Sequence, residues 1–472
     1  MLLNCDKLTD HHLLLLGFPS PILILEDKKQ LDKMTSRMDI IPAQDTPDYT
    51  VDPKTLPPLR LPDGVNSRFV DTNVLNFHVL ESVPKITGTT RPPLILCVHG
   101  FPELAYSWRY ILPRLAEQGY YAVAFDQRGY GRTHSPDRKS IPGHTFRPLS
   151  LIKDTIVLVQ ALGYSHIHTI VGHDFGAVTA TYMTLARGSA APPDFVRSLV
   201  LMSHPWKGVP GIPFNTSPNP HLQTVQTQES SGDPYAKTRD PKVHDSLANI
   251  ADRPRKHYKW YYCTRSSADE MTYPTGKPLH TFLRGYFHLK SADWSGNHNP
   301  EPHPLQSWTA PELAKMPHYY IMPRDSTMRE AVELDMRDQA ASTFGTNWLP
   351  DDDLAVYAEE YARTTFGPPM NWYRIQTNPE AASDSQLFVN RKLSVPMKFV
   401  AGRQDWGTYQ EPGAVEAMET GRSVEPGCYL GTVLVDGAGH WVNQEKWERC
   451  VEEILDVAKR VADGAQTSQG KL

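Results

Sequence analysis

The stretch His168-Thr-Ile-Val-Gly-His-Asp-Phe-Gly-Ala177 decides the fold. An apolar run of β character ends at Val171, and a helix-compatible run follows from Ala177 to Ala186. Gly172 and Gly176 bracket the turn between them. Small residues on both sides of such a strand–turn–helix junction let the backbone bend sharply and push one side chain out. In the common Gly-x-Ser-x-Gly version that side chain is serine; here it is Asp174. A carboxylate nucleophile suits attack on saturated carbon, because the alkyl ester it forms can be hydrolysed afterwards. The plainer alternative is a Gly-rich turn in which Asp174 caps a helix.

Working outward, short apolar runs alternate with helical ones. Ser67 to Glu81 reads as a two-stranded hairpin at a sheet edge. Pro93–Val98, Tyr121–Phe125, Ile167–Val171 and Val196–Met202 read as buried parallel strands. Trp108–Gln118 and Leu149–Leu162 read as the helices between them, stopped by Gly119 and Gly163. The alternation predicts an α/β fold with a mostly parallel sheet and helices on both faces. It stops near residue 207. From 207 to 384, Pro, Asn, Ser and Gly cluster first, and Tyr- and Trp-rich helical segments follow, among them His257–Tyr262, His280–Trp294 and Leu354–Trp372. We read 207–384 as an inserted, mainly helical cap, and 51–206 and 385–465 as two parts of one core. The core resumes with Val395–Val400, Thr432–Val435 and a final helix over Gln444–Ala462. Residues 1–50 read as a poorly ordered extension and 466–472 as a tail.

Composition excludes several function classes. With 472 residues and a net charge of −5, the chain lacks the basic footprint of a nucleic-acid binder and any polybasic membrane patch. Its five cysteines are scattered, with no Cys-x-x-Cys pair, which reads as reduced thiols in an intracellular protein. No segment is long and apolar enough to span a bilayer, so no stable membrane insertion is expected. Leu13–Leu25 is broken by Pro19 and Pro21 and lacks a small-residue cleavage site, so it does not read as a signal peptide. A cytoplasmic location is expected. The closing Gly470-Lys471-Leu472 resembles a peroxisomal Ser-Lys-Leu ending with glycine in place of serine. No metal cluster, phosphate loop or dinucleotide fingerprint stands out, so neither metal nor cofactor is expected.

Ligands of open α/β sheets sit at the carboxyl ends of the strands. His99, Asp174, Asp405 and His440 all fall there. A nucleophile needs a base and a group that orients the base, and the order Asp174, Asp405, His440 supplies nucleophile, acid and base. Asp436 is a rival acid, but its place just after a strand favours a turn. In His99-Gly-Phe-Pro102 the glycine lets the backbone bend, so that the Phe101 N–H, with that of Phe175, points at a developing oxyanion. Pro102 fixes φ there.

The set His99-Gly-Phe-Pro, Gly172-His-Asp-Phe-Gly-Ala, Asp405 and Gly439-His-Trp resembles the epoxide hydrolases of the α/β-hydrolase fold, and most of all their soluble fungal members. The similarity runs from about residue 60 to 465 and leaves the first 50 residues uncovered. It implies that Asp174 opens an epoxide from the back, with water as second substrate. It implies that His440, oriented by Asp405, activates the water that hydrolyses the ester. Members of that family also use two cap tyrosines as acids toward the epoxide oxygen. Asn371-Trp-Tyr-Arg374 matches the second tyrosine motif and gives Tyr373. For the first, Tyr258 in His257-Tyr-Lys-Trp-Tyr-Tyr262 is the best match, with Tyr261 and Tyr286 as rivals. His99, Pro102 and Trp372 are expected to contact substrate; Trp260 and Trp294 fit either a pocket wall or cap core. Phe175 stands where many relatives carry tryptophan. Asp126-Gln-Arg-Gly-Tyr-Gly-Arg132 belongs to the shared pattern and reads as structural, with its charges paired near the sheet.

Two other functions fit parts of this pattern. Haloalkane and haloacid dehalogenases share the aspartate nucleophile, the histidine and the acid, but need halide-holding groups where the phenols stand. A non-catalytic ligand-binding protein on the same fold would have no use for an intact nucleophile, base and acid. The natural epoxide and the oligomeric state are not legible in the sequence.

Overall fold

The computed structural model describes residues 39–85, 91–209, 241–337, 339, 345–375 and 383–469. The first 38 residues of the expected extension, residues 210–240 of the cap region and the Gly470-Lys471-Leu472 ending lie outside the described residues.

Ten strands are present among the described residues: β1 (Asn66–Asp71), β2 (Asn76–Ser82), β3 (Leu94–Val98), β4 (Tyr121–Phe125), β5 (Thr169–His173), β6 (Leu199–Met202), β7 (Arg255–His257), β8 (Ile321–Pro323), β9 (Met397–Gly402) and β10 (Tyr429–Val435). Eight form one sheet in the order β1-β2-β4-β3-β5-β6-β9-β10. β1 and β2 pair antiparallel, Arg68 opposite Val79, and β2 runs antiparallel to β4; every other pairing is parallel. β3, β4 and β5 are buried along their whole length, which is why they read as continuous apolar runs. The helices Ile111–Glu117, Pro148–Ala161, Phe175–Leu185 and Trp447–Gln469 belong to this core.

The segment read above as a cap lies between β6 and β9. Its helices include Tyr258–Tyr262, Ser267–Thr272, Lys277–Leu289, Met328–Met336, Asp351–Thr364 and Gly367–Arg374. The helix expected over 354–372 is split in two, because Thr365 adopts φ +61° and Pro368-Pro369 cannot continue the preceding ladder. The cap also holds a ribbon that the sequence did not predict. β7 pairs antiparallel with β8, Lys256 opposite Met322, and three residues a side are too few for alternation to show.

The N-terminal segment differs from expectation. Residues 39–50, grouped above with a poorly ordered extension, form a hydrogen-bonded strap across cap and core. Ile41 N–H donates to Cys263 O at 2.9 Å, just past the helix that carries Tyr258. Gln44 and Asn371 exchange two bonds of 2.9 and 2.8 Å beside Tyr373. Gly143 N–H donates to Asp45 at 2.7 Å on the core side. The strap is short and uneven in hydropathy, so its partners, far away in sequence, leave no local signal.

Candidate active site

The bend at Asp174 is real. Gly172 and Gly176 approach so closely that a Cβ on Gly172 would lie 2.2 Å from Gly176 O. Asp174 itself adopts φ +50°, ψ −118° and makes no capping bond to the helix that follows. A non-glycine residue in that region carries strain, which neighbouring contacts must hold in place. Here the carboxylate is held from both sides. Oδ1 accepts from Phe101 N–H at 2.9 Å, and Oδ2 faces His440 Nε2 at 3.4 Å.

On its far side His440 presents Nδ1 to Asp405, 3.1 and 3.2 Å from the two oxygens. Asp405 is anchored in turn by Gly407 N–H at 2.6 Å. Asp436, the rival acid, pairs with Arg403 at the surface. Burial pushes the His440 imidazolium toward losing its proton, but Asp405 and Asp174 outweigh it and raise the pKa to about 9. Burial likewise opposes the Asp174 charge; the His440 contact, His173 and the Phe101 N–H overcome it and hold the carboxyl well below the usual carboxylate range. At neutral pH the pair rests as carboxylate and imidazolium.

The His440 loop is fixed by partners that the sequence reading did not assign. Glu445 accepts from Gly439 N–H at 2.9 Å, Trp441 N–H at 3.0 Å and Ala292 N–H at 2.8 Å, clamping both sides of His440 to the cap boundary. A Cβ on Gly439 would meet Lys290 O at 2.4 Å, so only glycine permits this approach. The His440 carbonyl accepts from His173 Nε2 at 2.7 Å and Ser203 at 2.9 Å. The other ring nitrogen of His173 bonds Glu103, which also accepts from Gly100 N–H at 3.0 Å and Asn443 at 3.1 Å. Glu103 therefore ties the Phe101 turn to the His440 loop. Burial opposes its charge, but His173 and these donors bring its pKa down to about 2. His173 stands inside the elbow motif quoted above and Glu103 directly after His99-Gly-Phe-Pro102, yet spacing alone gives no hint that they meet.

The cap tyrosines separate by their partners. Tyr261 is committed to Glu270 at 2.7 Å, and Tyr286 bonds the Tyr262 hydroxyl at 2.9 Å. Tyr258 donates to Gln410 at 3.3 Å, and its ring lies 6.1 Å from that of Tyr373. Both Tyr258 and Tyr373 feel the Asp174 charge, and burial first, then neighbouring charge, keeps both phenols protonated far above their ordinary range. The Tyr373 ring also packs on Phe101 at 5.4 Å and Tyr262 at 4.9 Å.

Three expected contacts land differently. His99 is fully buried, with Nδ1 against Gly100 O at 2.9 Å and Nε2 accepting from Gln127 N–H at 3.1 Å. Both ring nitrogens are occupied by backbone, so His99 shapes the turn and is not available to a ligand. Trp372 packs between Phe146 and Phe175 and donates to Arg128 O at 3.2 Å, supporting the elbow from behind Tyr373. Of the two amides expected to face the oxyanion, only Phe101 reaches Asp174 among the described contacts. Pro102 is buried in the same turn. Trp260 packs on His257 and Trp294 on Tyr319, within the cap. The charges of 126–132 pair as expected: Asp126 with His78, Arg128 with Asp154 and Arg132 with Glu360.

The sequence profile described as alpha/beta hydrolase fold matches residues 93–242. Together with the strand order, this decides the fold. The chain has the α/β-hydrolase fold. It is 28% identical over 383 residues to epoxide hydrolase B of Mycobacterium tuberculosis, covering 80% of this chain and 93% of that one. It is 27% identical over 399 residues to epoxide hydrolase 3 of Siraitia grosvenorii, covering 84% of this chain and 98% of that one. Among solved structures it is similar to a laboratory-evolved variant of potato epoxide hydrolase, with 25% identity and a TM-score of 0.59 over 84% of this chain and 99% of that one. No described helix of the chain is long and apolar enough to cross a membrane, and no group of three His, Cys, Asp or Glu side chains is placed to hold a metal among the described residues.

Proposed function

We infer that this chain of α/β-hydrolase fold is an epoxide hydrolase that works through a covalent ester on Asp174. The observation that supports this most directly is the two-sided hold on that carboxylate: Phe101 N–H on Oδ1, and His440 Nε2 3.4 Å from Oδ2. Oδ2 attacks an epoxide carbon from the back and the C–O bond breaks. Tyr258 and Tyr373 share a proton with the departing oxygen, which would otherwise leave as a poor alkoxide. The His440 proton replaces it, leaving a hydroxyl and a neutral imidazole. That imidazole then draws a proton from water, and the hydroxide attacks the ester carbonyl carbon. Charge builds on Oδ1, where the Phe101 N–H already points. Collapse releases the diol and restores carboxylate and imidazolium. The paired phenols favour this substrate over a haloalkane, whose leaving halide needs no proton.

The decisive experiment is a single turnover in heavy-oxygen water, with excess enzyme over a generic aryl epoxide. The label is expected in the Asp174 carboxylate, read by peptide mass spectrometry. Label entering the diol directly would eliminate the ester.

A further inference from the structure

Lys290 follows the helix Lys277–Leu289 and is only 3% exposed. Its ammonium lies among five rings: Tyr320 at 4.5 Å, Tyr286 at 4.8 Å, Tyr319 at 5.6 Å, Tyr258 at 5.7 Å and Trp441 at 5.8 Å. Ring faces attract a cation through their quadrupole, so the cage offsets part of the lost hydration. Among the described residues, no carboxylate lies within ion-pair reach of this nitrogen. Another buried lysine, Lys398, is treated quite differently: it is neutralised by Asp456 at 2.6 Å and by Glu453. An aromatic ring carries no net charge. The cage therefore holds the ammonium without cancelling its field.

That field falls on the base. Lys290 O accepts from His440 N–H at 2.7 Å, so the two residues are fixed to each other through the backbone. Trp441, one wall of the cage, packs on the His440 ring at 4.7 Å. The charged and titratable groups facing His440 are Asp405, Asp174, His173, His204 and the Glu445 carboxyl on the N–H groups either side of it, which burial raises to about 8 and so leaves largely uncharged at neutral pH; those facing Lys290 are Tyr258, Tyr286, Tyr319 and Tyr320. In the resting site the charges balance: two carboxylates, Asp174 and Asp405, face one imidazolium and one ammonium. Alkylation turns Asp174 into a neutral ester. One carboxylate then faces two cations, and the imidazolium is the one that can discharge.

With Asp174 alkylated as inferred above, we propose that Lys290 is a positioning residue for the base: the caged ammonium makes His440 give up its proton after the first step and keeps the imidazole ready to take one from water. The cation has this effect because no carboxylate neutralises it. The same charge in an ion pair would be largely cancelled at His440.

The test uses the full chain with Lys290→Gln, Lys290→Met and Lys290→Arg. Rapid-quench single turnovers follow ester formation and ester hydrolysis separately across pH. In the two neutral variants the acidic limb of ester hydrolysis is expected to move up by about one pH unit, slowing hydrolysis on that limb about tenfold so that alkyl-enzyme accumulates. The rate of ester formation serves as the check on folding and is expected to change less than about threefold. Lys290→Arg, which keeps the cation, is expected to restore the wild-type limb. The proposal is overturned if Lys290→Gln or Lys290→Met forms the ester normally and hydrolyses it with the wild-type pH profile. It is also overturned if Lys290→Arg shows the same displaced limb as the neutral variants. Absence of any ester in the wild-type enzyme would bring down the covalent mechanism itself, a separately visible result.

Discussion

Asp405→Asn removes the charge beside His440 while keeping its shape, and the structure sets the size of the effect. The two Asp405 oxygens lie 3.1 and 3.2 Å from Nδ1, so the charge centres are about 4 Å apart. At an effective dielectric of about 20 that separation corresponds to about 4 kcal/mol. Divided by 1.36 kcal/mol per unit, this lowers the imidazolium pKa by up to about three units, from about 9 in the resting enzyme and from a lower starting point once Asp174 is an uncharged ester. The sign follows from the charge: a lost carboxylate favours the neutral ring, so the acidic limb of ester hydrolysis moves to lower pH. The ring becomes a weaker base. The amide also offers an N–H where Nδ1 needs an acceptor, which favours the wrong tautomer. Ester hydrolysis is expected to slow by about 10²–10⁴. Ester formation is affected far less, because Asp174 still rests ionised. The assay is a rapid-quench time course with intact-mass detection of the alkyl-enzyme, which should accumulate in the variant. Hydrolysis of that ester within about twofold of the wild-type rate, on an unmoved pH profile, would refute the pairing of Asp405 with the base.

Asp174→Asn is expected to form no alkyl-enzyme and to lose at least about 10⁴ in diol formation, apart from slow deamidation back to aspartate, and the same mass assay checks it. Tyr373→Phe should slow ester formation about 10- to 100-fold and leave ester hydrolysis nearly unchanged, a split visible in single turnovers. Glu445→Ala strips the acceptor from three backbone N–H groups around His440. At about 1–3 kcal/mol for each buried donor left unpaired, stability should fall by about 3 kcal/mol or more, seen as a lower thermal midpoint. Asn371→Ala cuts the two bonds to Gln44. It should lower the thermal midpoint and slow ester formation through Tyr373, while ester hydrolysis keeps its wild-type rate.

Local sequence carried most of the fold and the chemical centre. The elbow is legible because a buried strand, two glycines and a helix are contiguous, and their spacing alone forces a side chain outward at Asp174. Strands such as Tyr121–Phe125 are legible because both of their faces are buried, so the run is apolar throughout. Asp405 and His440 are legible because each follows a strand of the same sheet, whose carboxyl ends converge. The interval between acid and base, by contrast, says nothing about which group faces which nitrogen.

What only the tertiary structure decided lies between segments far apart in the chain. The partners of the Tyr258, Tyr261 and Tyr286 hydroxyls, namely Gln410, Glu270 and the Tyr262 hydroxyl, are set by the fold, and the tyrosines of two separate helices cannot reveal them. His99, which opens the first oxyanion motif, reads like a ligand, but backbone from residues 100 and 127 occupies both of its nitrogens. The strap over 39–50, the Glu445 clamp, the Glu103–His173 link and the cage around Lys290 share one physical character. Each joins elements separated by tens to hundreds of residues through a few polar or aromatic contacts, and such contacts impose no periodicity on the segments that make them. The sequence by itself singled out a candidate carboxylate and a candidate base; the folded chain decided which charges and hydrogen bonds surround them.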